Sequence, residues 1–302
     1  MKNRVLIPSV AVSLFICIVA YLLLNDSDVY AQRPRIAGPN IKQTASVKKI
    51  ENRSFAFNKA ATENARLRNS LSWTFGGKTQ TGWNIYVPLI ANTIGAESGP
   101  DTSEFALTLS NWQAKSGLPE TGVLDESTLE TFTKYWQSRR LGRFTLSADD
   151  NLLSAPIDEF FDPTRSTDLL QFERDTYTAY KRMIAAAAKD LRHELKLTKN
   201  GDLAPEEKFL RIVSAYRSPE YQDALRRREP NAGRAALAKN SPHSTGHALD
   251  IYVGGEPVRT LDSNRLIQVQ TPVYKWLVKN AHRFGFYPYF YEPWHWEYVP
   301  AR

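Results

Sequence analysis

The chain has 302 residues, 42% of them hydrophobic and 24% charged, which is ordinary for a globular protein and enough for two modest domains. A single cysteine, Cys17, excludes an intramolecular disulfide and any Cys-rich zinc site, so a metal here must be held by His, Asp or Glu. Residues 31–70 carry nine Lys/Arg against two acids, an excess equal to the +7 of the whole chain. A nucleic-acid enzyme more often carries its basic patch on the folded domain, so no nucleic-acid partner is expected. The basic run reads either as a tether lying on anionic lipid or wall polymer, or as a plain soluble linker.

Residues 5–24 contain no charge and are long enough to cross a hydrocarbon core of about 30 Å as a helix. Lys2 and Arg4 precede this stretch, and Asp26 and Asp28 follow it, which puts the N-terminus in the cytoplasm and the remainder outside. The expectation is a single-pass anchor in the cytoplasmic (inner) membrane with an extracytoplasmic, periplasmic catalytic part. Cleavage of a signal peptide near Ala31 is the competing reading, but the apolar stretch exceeds the usual signal-peptide length. The divisions expected are 1–30 cytoplasmic tip and anchor, 31–75 basic linker, 76–141 a small helical domain, and 142–302 a larger α+β domain.

From Trp83 the apolar pattern implies a short helix, a second helix ending near Gly117, a glycine turn, and a third helix that Asp125 can cap. Residues 142–165 read as loop. A helix is expected over 168–196, with Leu170, Tyr177, Met183, Ile184 and Leu191 near helical spacing. Further on, strands are expected over 209–216, 247–253, 286–291 and 296–299. A helix opening at Thr271-Pro272 is expected to run to Gly285.

The chain has five histidines. His243 and His247 lie in the segment Ser241-Pro-His-Ser-Thr-Gly-His-Ala-Leu-Asp250, and His295 lies in Glu292-Pro-Trp-His-Trp-Glu297. In a strand over 247–253, Leu249, Ile251 and Val253 share the core face, while Asp250 points the other way with Ala248 and Tyr252. A carboxylate in the middle of an apolar strand is costly to bury unless it is paired or bound to a metal. The same alternation turns His247 away from Asp250, so although His243 and His247 have the i,i+4 spacing of a helical zinc pair, Gly246 and the strand reading argue against that pairing. A catalytic zinc site takes three protein ligands and keeps one open position. His243, Asp250 and His295 are the candidates. Pro293 breaks the local regularity, so a turn can set Glu292 beside the metal; a surface ion pair is the alternative for that residue.

Two resemblances follow from these motifs. The run from Phe105 through Trp112-Gln113, Gly117-Leu118, Gly122-Val123 and Thr128-Leu129 resembles a three-helix peptidoglycan-binding module. The patterns Ser-x-His-x-x-Gly-x-Ala-x-Asp and Glu-x-x-His, together with Ser214-Ala-Tyr-Arg217-Ser218 and Gln222, resemble the VanY-type D-alanyl-D-alanine carboxypeptidases. These belong to the zinc peptidase group that also includes lysostaphin-like enzymes and the hedgehog signalling domain.

The resemblance implies a Zn2+ cofactor on His243, Asp250 and His295, and Glu292 as the general base for a zinc-activated water. It implies Arg217 as the group that steadies the developing oxyanion. It also implies contacts of Gln222, Ser241 and Trp294 with peptidoglycan stem peptides. The fold it implies is a small, mainly antiparallel sheet with flanking helices. The expected reaction is hydrolysis of the C-terminal stem bond, D,D or L,D, by a monomeric enzyme. An endopeptidase and an inactive wall-binding protein are the alternatives. Trp296-Glu297 stands where relatives often have an aromatic and a basic residue, and that departure bears on substrate preference.

Overall fold

The computed structural model describes residues 41–230 and 238–300. The first element is a long helix, α1 (Ile41–Ser70), followed by a hairpin of β1 (Ser72–Phe75) and β2 (Lys78–Thr81). At the hairpin tip, Gly76 and Gly77 sit at φ 60° and 77°, the left-handed pair that a two-residue turn between twisted strands needs. Three helices follow: α2 (Val87–Ile94), α3 (Ser103–Lys115) and α4 (Glu126–Ser138). Thr102 caps α3, and Asp125 caps α4 by accepting from the Thr128 amide.

The linker expected over 31–75 is therefore replaced, in the described part, by α1 and the first strand. The helix has a faint apolar stripe, and among its described side chains few face inward. Ala60 and Ala61 are buried, and Asn64 is fully buried while bonded to the backbone at Gly122 and Leu124.

The second half begins with β3 (Leu152–Ser154), paired antiparallel to β4 (Gln171–Glu173). The helix α5 (Arg174–Asp190) is shorter than the 168–196 expected, because Glu173 ends a strand and its carboxylate caps the helix through the Asp175 and Thr176 amides. Next come β5 (Ile212–Ser214), α6 (Pro219–Arg228), β6 (Ala248–Ile251), α7 (Asp262–Gln270) and α8 (Pro272–Asn280). A 3-10 turn after α8 ends at Gly285, and β7 (Phe286–Pro288) and β8 (His295–Tyr298) complete the chain. The main sheet runs β5-β6-β8-β7, antiparallel throughout. The expected strands are all present; β5, β6 and β7 are shorter than expected, and β8 keeps its length but begins one residue earlier. The α+β class holds, with a small antiparallel sheet bearing the candidate ligands.

One face of that sheet is core. Leu249 lies opposite Trp296, and Tyr274 from α8 meets the Trp296 ring at 6.3 Å. The other face carries Asp250 directly opposite His295. The helical segment and the sheet belong to one compact unit, Val47–Arg302. They share a core around Phe290, whose ring lies 4.7 Å from Phe75, 5.6 Å from Tyr86 and 5.8 Å from Trp136. Asn92 of α2 donates to the Val278 carbonyl of α8, 3.2 Å away. Among the described residues no helix is long and apolar enough to cross a membrane. The apolar stretch 5–24 lies outside the described residues.

Candidate metal centre

Three local structures bring the donors together. Ser241 opens a 3-10 turn over Pro242–Thr245, which closes at Gly246 with φ 72°. A Cβ on Gly246 would stand 2.6 Å from the Cβ of Glu173, so only glycine lets this turn rest against the start of α5. The turn holds His243 over the end of β5. Asp250 comes from the middle of β6, and His295 is the first residue of β8.

All three side chains are buried. His243 Nε2 is 3.2 Å from His295 Nδ1 and 3.3 Å from Asp250 Oδ1, and His295 Nδ1 is 3.0 Å from the same oxygen. The outer ring nitrogens are occupied. His243 Nδ1 donates to the Ala215 carbonyl at 2.7 Å, and His295 Nε2 donates to the Glu297 carboxylate at 3.2 Å. Each bond fixes a tautomer and turns the other nitrogen's lone pair inward. Three acceptor atoms thus converge on one point, and their spacings match the edge of a zinc tetrahedron, about 3.3 Å for bonds of about 2.0–2.1 Å. The donor set fits a divalent metal with nitrogen and oxygen preference.

The electrostatics follow from this crowding. Burial favours neutral groups, but His243 and Arg217 outweigh it at Asp250 and hold that carboxyl well below the usual range. Burial, reinforced by the Arg217 charge, lowers His243 to about 4. At His295 burial also pulls downward, yet the bonds to Asp250 and Glu297 prevail and raise it to about 9.

Glu292 sits at the corner shared by two successive turns between β7 and β8. Its amide donates to the Tyr289 carbonyl, and its own carbonyl accepts from His295 N. The turn expected at Pro293 is thus present. Burial pushes the Glu292 carboxyl up to about 8, in the range where an acid–base group serves near neutrality. Arg217 follows β5, ahead of the Ser218 cap of α6. It donates through Nη2 to Asp250 Oδ2 at 2.6 Å and through Nε to Ser214 Oγ at 2.9 Å.

A cleft of about 590 Å³ opens over these groups, lined by His243, Asp250, Glu292, His295, Arg217, Ser241 and Trp294 among others. Gln222 is the exception among the sequence-derived candidates. It is buried behind Arg217, with Oε1 3.4 Å from Arg217 Nη1 and Nε2 donating to the Ala238 carbonyl, a place from which it orients the guanidinium. His247 lies outside the cluster, bonded to the Thr245 carbonyl and stacked on Tyr298.

Three residues of the site escape sequence reasoning. Arg165 lines the cleft with its guanidinium held on the Leu169 and Val213 carbonyls. Buried Glu297 forms an ion pair with the partly buried Arg140 beside His295. In the helical segment, Gln113 bonds to Gly122, Val123 and Thr128, so the aromatic-Gln and Gly-Val positions of that motif serve its internal packing.

No curated protein matches the chain. Residues 170–301 match the family model described as D-alanyl-D-alanine carboxypeptidase (VanY), and they contain every donor of the buried trio together with Glu292 and Arg217. Over residues 170–301 the chain is therefore similar to the D-alanyl-D-alanine carboxypeptidases of the VanY family.

Proposed function

We propose that this protein is a zinc-dependent carboxypeptidase that hydrolyses the C-terminal peptide bond of peptidoglycan stem peptides. The observation that carries the reading is the convergence of His243 Nε2, Asp250 Oδ1 and His295 Nδ1 in a cleft that also holds Glu292. When bound, zinc supplies a Lewis acid that polarises the scissile carbonyl and brings the pKa of water toward neutrality. Glu292 takes the proton of the attacking water. Its raised affinity for protons, a result of burial, lets it keep that proton and pass it to the leaving amine. Arg217 is held by Ser214, Asp250 and Gln222 and offers its charge to the carbonyl oxygen as negative charge develops there.

The exopeptidase reading is favoured over internal cleavage by a second cation in the cleft. Arg165 is fixed on two backbone carbonyls and has the planar fork suited to a terminal carboxylate. Ser241 and Trp294 are the proposed contacts for the rest of the stem. Wall binding by residues 76–141 rests on motif resemblance, and an extracytoplasmic site of action rests on the charge pattern around residues 5–24.

Digestion of purified muropeptides with and without a chelator tests the reading. Release of single alanine residues that the chelator abolishes is expected. Glu292→Gln is expected to lower kcat by about 10²–10⁴-fold while zinc stays bound. Larger peptide fragments would instead indicate an endopeptidase, and the absence of any product from zinc-loaded protein would leave only wall binding.

A further inference from the structure

Glu297 is the most demanding residue near the cleft. It is 1% exposed, and its carboxylate needs several donors to be buried at all. Strand alternation puts it on the same face of β8 as His295, two residues earlier, and His295 Nε2 supplies one donor at 3.2 Å. The remaining donors come from beyond the end of α4. Arg140 Nε lies 3.1 Å from Oε1, Arg140 Nη2 reaches the same oxygen, and the Leu141 amide lies 3.0 Å from Oε2. Arg140 is itself restrained. Its Nη1 donates to Gln137 Oε1 at 2.6 Å, and its guanidinium lies 4.0 Å above the Tyr289 ring. Residue 140 precedes the matched stretch 170–301 by thirty positions (170 − 140).

We propose that Arg140 is a positioning residue for the metal centre: through Glu297 it fixes the His295 ring so that Nδ1, rather than a ring carbon, faces Asp250 and His243. A half-turn of an imidazole about χ2 exchanges Nδ1 with Cδ2 and removes a ligand. The bond from Nε2 to an immobile carboxylate opposes that half-turn, and the carboxylate is immobile because Arg140 and Leu141 hold both its oxygens. The helical segment is thereby part of the catalytic apparatus as well as a neighbour of it. This inference rests on the metal reading of the previous section, within which it adds a residue.

The test uses full-length protein carrying Arg140→Ala, Arg140→Lys or Glu297→Gln. Zinc affinity is measured by competition with a chromophoric chelator. The visible spectrum of the cobalt(II)-loaded protein and the thermal midpoint of the metal-free protein are recorded alongside. Arg140→Ala and Glu297→Gln are expected to weaken zinc binding by about 10–100-fold and to change the cobalt bands. Arg140→Lys, which keeps the charge without the fork, should fall between them and the parent. Unchanged zinc affinity and cobalt bands in folded Arg140→Ala overturn the proposal, even if the metal-free midpoint drops, because a merely structural role predicts that pattern. If Arg140→Ala does not fold, the near-isosteric Glu297→Gln decides by the same two readouts. A parent protein that fails to bind one zinc, or a His295→Ala variant that keeps it, sinks the metal reading itself. Normal zinc binding by the parent with unaffected variants sinks only the role of Arg140.

Discussion

At the scale of single residues, the chemistry is governed by how few charges the buried cluster tolerates. In the metal-free protein both Glu292, at about 8, and His295, at about 9, bind protons more tightly than ordinary Glu and His. For His295 the sign is that of a raised base: the stabilisation is complete below about 6.5 and is lost as pH rises through about 9. Glu292 acts in the same direction, because a folded state that holds the extra proton loses stability as that proton leaves. Metal-free protein is therefore expected to become less stable between about pH 6.5 and 9, as followed by its thermal midpoint. A metal must displace the His295 proton, so zinc affinity should climb by up to about tenfold per pH unit across that window. A flat affinity profile in a chelator titration from pH 6.5 to 9 would remove His295 from the ligand set. The three candidate ligands were legible in the sequence because an aspartate inside an apolar strand needs a partner, and histidines were the partners available. Glu297 was visible as a residue, but its role was hidden, since nothing in the sequence ties position 297 to position 140. Arg165 was hidden likewise: a lone arginine in a loop carries no pattern.

At the scale of elements, the site is made by short pieces meeting at defined angles. The His243 turn is tied to the start of α5 through Gly246, whose left-handed φ and close approach to Glu173 leave no room for a side chain. Gly246→Ala is expected to cost about 2–4 kcal/mol in unfolding free energy, combining the backbone penalty with the displacement of Glu173 from its cap. Denaturant titration measures this. A loss below about 0.5 kcal/mol would mean that the turn relaxes freely. The strands of the main sheet could be read from their alternation, and α6 and α8 from their Ser-Pro and Thr-Pro starts. The hairpin β1–β2 and the helix α1 could not. Among the described side chains of α1 only a few face inward, and one of them is Asn64, so hydrophobic periodicity has almost nothing to register there. The hairpin's Gly-Gly turn was present, but its β2 strand, Lys-Thr-Gln-Thr, is polar throughout.

At the scale of the whole molecule, the boundary of the family match and the boundary of the folding unit do not coincide. The match begins at residue 170, whereas the compact unit begins at Val47. Removing residues 1–141 strips Phe75, Tyr86 and Trp136 from Phe290 and also removes the partner of Glu297. With each large buried side chain contributing about 1.5–3 kcal/mol, the remaining 142–302 fragment is expected to be largely insoluble or to lack near-ultraviolet circular dichroism. A fragment that folds with the parent's thermal midpoint would restore the division at 141 expected from the sequence.

The register of β6 against β8 carries one more consequence. Asp250 faces His295 only in the native pairing. A slip by one residue would turn the carboxylate toward the core and bring Leu249 or Ile251 opposite the imidazole. A divalent ion bound by this trio would thus act as a proofreader of the sheet, rewarding one strand alignment among several that hydrogen bonding alone would allow.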